Sequence, residues 1–166
     1  MIRNLQNKNI LLGVTGSIAA YKAVDLASKL AQAGAQVDTI LTRSATNFVT
    51  PLTFQSVTGR KAYDSLWGED AHVIHIGLAE AADLLVIAPC TADTIARLVH
   101  GRADDLLAVT ALAARCPLLI APTMDGGMWA NAATQANISI LCERGVQIIG
   151  PAEGHLASGL KGKGRL

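Results

Sequence analysis

Aromatic residues make up only 4 % of the 166-residue chain. That leaves little for stacking on single-stranded nucleic acid. Charge is sparse as well: 16 % of residues are Asp, Glu, Lys or Arg, and the formal net charge is +1. No bulk field therefore draws nucleic acid or an anionic membrane to this chain. The three cysteines, Cys90, Cys116 and Cys142, are far apart, with no CxxC pair. This argues against a zinc site and a disulfide framework, and favours a reduced, cytoplasmic setting. Long apolar runs are missing too. The longest, Ala81 to Cys90, is broken by Asp83 and Pro89, and it falls well short of the ~20 residues of a spanning helix. The stretch from Met1 to Asn9 is polar, unlike a secretory signal. What the chain does have is 51 % hydrophobic residues. With aromatics so few, the core must come from Ala, Val, Leu and Ile. One domain over 1–166 is expected.

The apolar pattern repeats a unit of strand, loop and amphipathic helix. Asn9 to Val14, Gln36 to Leu41, Leu84 to Ala88, Pro117 to Ala121 and Val146 to Ile149 read as five strands. Between them, Ile18 to Ala33, Thr50 to Gly59, Thr91 to Val99, Asp105 to Ala114 and Ala132 to Arg144 read as helices. Gly34, Gly59 and Gly145 stand where helix-ending glycines belong. Continuous apolar strands alternating with helices predict an α/β fold. It is a doubly wound, three-layer, Rossmann-like or flavodoxin-like parallel sheet. Ligands of such folds sit beyond the carboxyl ends of the strands. The tail from Gly154 to Leu166, rich in Gly and Lys, reads as a loop. Its abrupt end is what a piece of a longer bifunctional chain would show.

Small or hydroxylated residues cluster at each strand exit. The first loop, Gly13 to Ala20, matches neither GxxxxGK[ST] nor GxGxxG. It is either a tight turn that needs glycine or a point where a ligand approaches amides at a positive helix end. Thr91-Ala92-Asp93-Thr94 reads most simply as an N-cap with an acid in the first turn. Its hydroxyls and amides also suit a monophosphate, with Asp93 facing away. His72 and His75 have no carboxylate or cysteine nearby to complete a metal set, so no metal is expected. His75 is either structural or a general base. Met124, Met128 and Trp129 form ordinary packing or one wall of a flat, apolar ligand site. Ser158 has no GxSxG context, which argues against a Ser–His–Asp hydrolase.

Several segments together carry a resemblance. They include Gly13-Val14-Thr15-Gly16-Ser17-Ile18-Ala19-Ala20-Tyr21-Lys22, Thr50-Pro51-Leu52-Thr53-Phe54-Gln55 and His75-Ile76. Others are Ala82 to Pro89, Ala92 to Ala96, Pro122-Thr123-Met124, Ala133 to Asn137 and Gly162-Lys163-Gly164-Arg165. From about Lys8 onward the chain resembles the flavoprotein family of FMN-dependent cysteine decarboxylases. The resemblance implies FMN as cofactor and a homotrimer or a dodecamer of trimers, with the flavin near a subunit interface. It implies that Gly16, Ser17, Ile18, Thr42 and Ser44 contact FMN. Thr91, Ala92, Asp93 and Thr94 would hold the phosphate end, and Thr123 would approach the ring. The catalytic positions would be His75, as base, Asp125 and Ser158.

The implied reaction is decarboxylation of 4'-phosphopantothenoylcysteine to 4'-phosphopantetheine in coenzyme A biosynthesis. Two positions depart from the family pattern. Asp125 stands where the family has an Asn that holds the substrate carboxylate, and Ser158 where it has a proton-donating Cys. Two carboxylates about 4 Å apart repel by about 4 kcal/mol at an effective dielectric near 20, unless one is protonated. The same resemblance leaves room for an enethiol-forming peptidyl-cysteine decarboxylase, a flavin reductase, a flavin prenyltransferase or a non-catalytic FMN-binding subunit.

Overall fold

A computed structural model describes residues 5–67, 71–155, 159 and 161–166; at 71 and 72 it describes the backbone alone. The central sheet is built from β1 (Asn9–Val14), β2 (Gln36–Leu41), β3 (Ala62–Tyr63), β4 (Leu84–Cys90), β5 (Leu118–Pro122) and β6 (Gln147–Ile148). Its order is β3-β2-β1-β4-β5-β6, and every pairing is parallel. Ile10 of β1 pairs with Val37 on one side and Leu84 on the other. This is the expected doubly wound, flavodoxin-like architecture. The chain runs outward from β1 to β3, then returns to place β4 on the other side of β1. Between β1 and β4 the neighbouring connections leave in opposite directions, which opens a crevice at the carboxyl edge.

Side chains alternate across the strands and build two cores. Ile10, Leu12, Val14, Val37 and Leu41 point to one face, where α1 (Ala20–Gln32) and α2 (Pro51–Thr58) cover them with Ala20, Ala23, Ala27 and Phe54. Leu11, Ile40, Leu85, Ile87 and Ile120 point to the other face. There they meet α3 (Ala71–Ala81), α4 (Ala92–His100), α5 (Leu106–Ala113) and α7 (Ala132–Glu143). Gly13 lets α5 come close: a Cβ on it would lie 2.5 Å from Leu107 Cδ1.

The structure differs from the sequence expectation in five places. A two-residue edge strand, β3, makes six strands in the main sheet rather than five. The stretch containing His75 is a helix, α3, and a five-residue helix, α6 (Gly126–Ala130), follows β5. The first long helix begins at Ala20, because Ser17 to Ala19 form a tighter turn in which the Ala20 amide bonds the Ser17 carbonyl at 2.9 Å. The tail is an antiparallel hairpin of β7 (Ala152–His155) and β8 (Lys161–Arg165), not a loop. Its pairing is tertiary in origin: the Met124 amide also donates to the Gly164 carbonyl at 3.0 Å, anchoring the hairpin to the β5 exit.

Candidate functional site

Three strand exits meet where β1 lies between β2 and β4. Thr15, buried at the end of β1, donates its hydroxyl to the Pro89 carbonyl at 2.7 Å and accepts from the Thr91 amide at 3.1 Å. One side chain thus fastens the β1 exit to the β4 exit. Gly16 fastens it to the β2 exit by close approach. A Cβ on Gly16 would lie 2.4 Å from Ser44 Cβ and 3.0 Å from the Ser44 carbonyl carbon. Glycine is needed here for space between two backbones. Ser17 then leads into α1, its Oγ accepting from the Ala19 amide at 3.2 Å.

The hydroxyls beyond β2 and β4 are held by local turns. Thr42 Oγ1 accepts from the Ala45 amide at 3.3 Å. Thr91 caps α4, its Oγ1 accepting from the Thr94 amide at 3.3 Å and lying 3.0 Å from Thr94 Oγ1. Thr42 and Thr94 line one small cavity of about 10 Å³. Ala92 opens α4 beside them. The Asp93 side chain is 71 % exposed and pairs with Arg97 at 2.8 Å. Hydroxyls and the amide-rich start of a nine-residue helix suit a phosphate group.

Next to this cradle lies a cleft of about 430 Å³. Ser17 and Ile18 form its wall from the β1–α1 turn, and Thr123, Met124 and Asp125 form the wall from the β5 exit. Ile18 is 58 % exposed, an apolar surface available to a flat ring. The Thr123 amide donates to the Cys90 carbonyl at 3.0 Å, and its hydroxyl to the Ala121 carbonyl at 3.3 Å. Asp125 caps α6, accepting from the Gly127 amide at 2.9 Å. The third wall is the hairpin, which contributes His155 and Arg165. Lys22, in the first turn of α1, donates from Nζ to the Leu166 main-chain oxygen at 2.5 Å. Burial lowers the pKa of Lys22, and the neighbouring Arg165 charge lowers it further.

The fold thus gathers Gly16 with Ser44, and Thr42 with Thr94, while Ser17, Ile18, Thr123 and Asp125 line the cleft. His75 is not among the cleft residues. It lies on α3 with Ile74, Leu78 and Ala79, half-buried, and its Nδ1 is enclosed with no hydrogen-bond partner among the described residues. Ser158 lies outside the described residues. Sequence reasoning assigned no site role to Thr15, Lys22, His155 or Arg165. Nothing local marks Arg165, whose place depends on the hairpin.

A parallel sheet with helices on both faces, hydroxyl-bearing turns at its strand exits and a cleft beyond them are features of a nucleotide- or flavin-binding class of α/β protein. The Flavoprotein family pattern matches residues 2–166, and the chain belongs to that family. It is 46 % identical over 167 residues to the coenzyme A biosynthesis bifunctional protein CoaBC of Vibrio vulnificus, with 99 % of this chain and 42 % of that protein covered. It is 48 % identical over 164 residues to the CoaBC protein of Bacillus subtilis, covering 98 % of this chain and 40 % of that protein. The chain therefore spans about two-fifths of the length of these relatives. Among solved structures, a PPC decarboxylase variant complexed with pantothenoylaminoethenethiol superposes with a TM-score of 0.85 at 31 % identity, covering 96 % of this chain and 91 % of that one. The FMN-dependent cysteine decarboxylase SpaF gives 0.83 at 34 % identity, again with 96 % and 91 % covered.

Proposed function

We propose that this chain is an FMN-dependent carboxy-lyase that converts 4'-phosphopantothenoylcysteine to 4'-phosphopantetheine in coenzyme A biosynthesis. The observation that carries this reading is the cradle and cleft at the β1/β4 crevice, in a chain close to half identical to CoaBC proteins over nearly its whole length. Thr42, Ser44, Thr91, Ala92 and Thr94, with Gly16 beside them, would hold the FMN phosphate. Asp93, paired with Arg97, would contribute through its backbone. Ile18, Ser17 and Thr123 would border the ring. Bound there, FMN supplies reversible two-electron chemistry at the cysteinyl carbon.

The protein's own residues orient the substrate and move protons. Asp125 stands where the substrate carboxylate would approach. Its carboxylate accepts the Gly127 amide, which fixes its place at the start of α6. His75 would act as the base. Since it does not line the cleft of its own chain, it would serve the cleft of a neighbouring copy. Exposed apolar side chains support that assembly: Tyr21 on the cleft wall, Phe48 and Leu52 before and in α2, and Trp67, Val73 and Ile76 before and in α3. We assign a homotrimer, or a dodecamer of trimers, working in the cytoplasm. No helix among the described residues is long and apolar enough to cross a membrane.

The test is anaerobic incubation of the flavin-loaded protein with 4'-phosphopantothenoylcysteine, following CO2 and 4'-phosphopantetheine. A yellow protein that yields neither product would sink the reading. Asp125 and Ser158 support a second reading, an enzyme that stops at the enethiol. Restoring Asn at 125 and Cys at 158 would then sharply raise phosphopantetheine output, whereas under the first reading output would not change.

A further inference from the structure

We propose that Lys22 and Arg165 form a second anion subsite, which takes the phosphate monoester at the far end of the substrate. This rests on the decarboxylase reading above. The two cations come from different elements, α1 and β8, yet line the same cleft. Neither has an Asp or Glu side chain within ion-pair distance among the described residues, whereas Arg60 and Arg97 are each paired with carboxylates. Lys22 is half-buried and Arg165 exposed, and their like charges repel across the cleft wall. An anion between them removes that penalty.

Donor geometry agrees. Lys22 uses one of its three N–H groups on the Leu166 main-chain oxygen and keeps the others. The Arg165 side chain lies across Gly154 of β7: a Cβ there would be 3.1 Å from both its Cδ and its Nη1. Glycine at that position gives the side chain its seat against the hairpin. His155 adds an imidazole to the same wall. An arginine fork binds a phosphate in bidentate fashion, and an adjacent ammonium adds a point charge. The phosphate cradle assigned to the cofactor is elsewhere, and neither Lys22 nor Arg165 lines the cavity between Thr42 and Thr94. A reaction whose cofactor and substrate each carry one phosphate needs two such places.

The experiment compares 4'-phosphopantothenoylcysteine with pantothenoylcysteine, which lacks the phosphate, on the wild type, Lys22→Gln, Arg165→Gln and Arg165→Lys. Flavin content is read from the visible spectrum of each. The expected result is a loss of about 10- to 100-fold in kcat/KM for the phosphorylated substrate in each Gln variant. Most of that loss lies in KM, Arg165→Lys recovers part of it, and flavin content and turnover of the unphosphorylated substrate stay at wild-type levels. Equal losses on both substrates would overturn the proposal, as would loss of flavin, which would give these cations to the cofactor. Calorimetry with 4'-phosphopantetheine and pantetheine separates this proposal from the decarboxylase reading. If the wild type turns over neither substrate but prefers the phosphorylated ligand, and Arg165→Gln abolishes that preference, the subsite stands and the decarboxylase reading falls. No preference in the wild type removes the subsite.

Discussion

Thr15 shows how one buried hydroxyl holds two strand exits together. Replacing it with the nearly isosteric valine leaves the Pro89 carbonyl and the Thr91 amide without their partner. Thr15→Val is expected to lower unfolding free energy by about 2 kcal/mol, measured by urea titration, and to weaken flavin retention because the Thr91 cap shifts. Gly16→Val would separate the β1 and β2 exits and release the flavin while the rest of the fold survives, which visible absorbance and circular dichroism would show together. Cys90 sits under the same floor, wholly buried, and burial pushes its thiol well above the usual 9.0. A raised folded-state pKa stabilises fully below pH 9 and loses that contribution as pH rises, because the unfolded chain sheds a proton the folded chain keeps. Between about pH 8 and about pH 10 the urea midpoint should therefore fall less in Cys90→Ala than in wild type. In native protein, the exposed Cys142 should react with a thiol reagent long before Cys90.

At the scale of elements, what sequence patterning revealed depended on where the information for each segment lies. β1, β4 and β5 are nearly continuous apolar runs because both their faces are covered, and that pattern needs no tertiary knowledge. The caps were legible for the same local reason: Thr91 opens α4, Asp105 opens α5, and Gly59 ends α2 at φ +68. Asp105 accepts the Ala108 amide at 2.8 Å. Asp105→Ala should cost about 1 kcal/mol in a thermal or urea melt, and Asp105→Ser less than half of that. The sequence left α3 unassigned because Val73, Ile74, Ile76 and Gly77 resist helix formation on intrinsic preference, so its packing against α5 and the second core decides. The hairpin has the composition of a loop because its strands, Ala-Glu-Gly-His and Lys-Gly-Lys-Gly-Arg, are rich in Gly and charge. Only the partner strand and the Met124 amide define them. The candidate site divided along the same line. Hydroxyls in the turns after strands could be found, whereas the cleft's third wall and its two cations could not.

The role proposed for His75 as base raises a question at the scale of the whole molecule. Within one chain it packs on the side of the sheet that carries α3 and α5, and it does not line the cleft. Two exposed apolar surfaces lie on different elements: Tyr21 and Leu52 on α1 and α2, and Val73 and Ile76 on α3. Two dissimilar surfaces that meet head to tail close into a ring when each contact turns by a third of a revolution, which is the geometry a trimer requires. In such a ring each cleft would receive α3 from its neighbour. Leu52→Lys would then lower the mass found by sedimentation, abolish turnover and leave the isolated fold intact by circular dichroism. A mixing experiment is more incisive. On the proposed reading His75→Ala would lack the base and Gly16→Val the cofactor site, so each alone should be inactive. Co-assembled, some clefts pair an intact cradle with an intact His75 from the next copy, and activity should return to a fraction set by random mixing. If mixed assemblies stay inactive while the separate wild-type protein is active, base and cradle act in cis. The α3 helix would then have to move to reach the cleft, and the assembly would have no catalytic part.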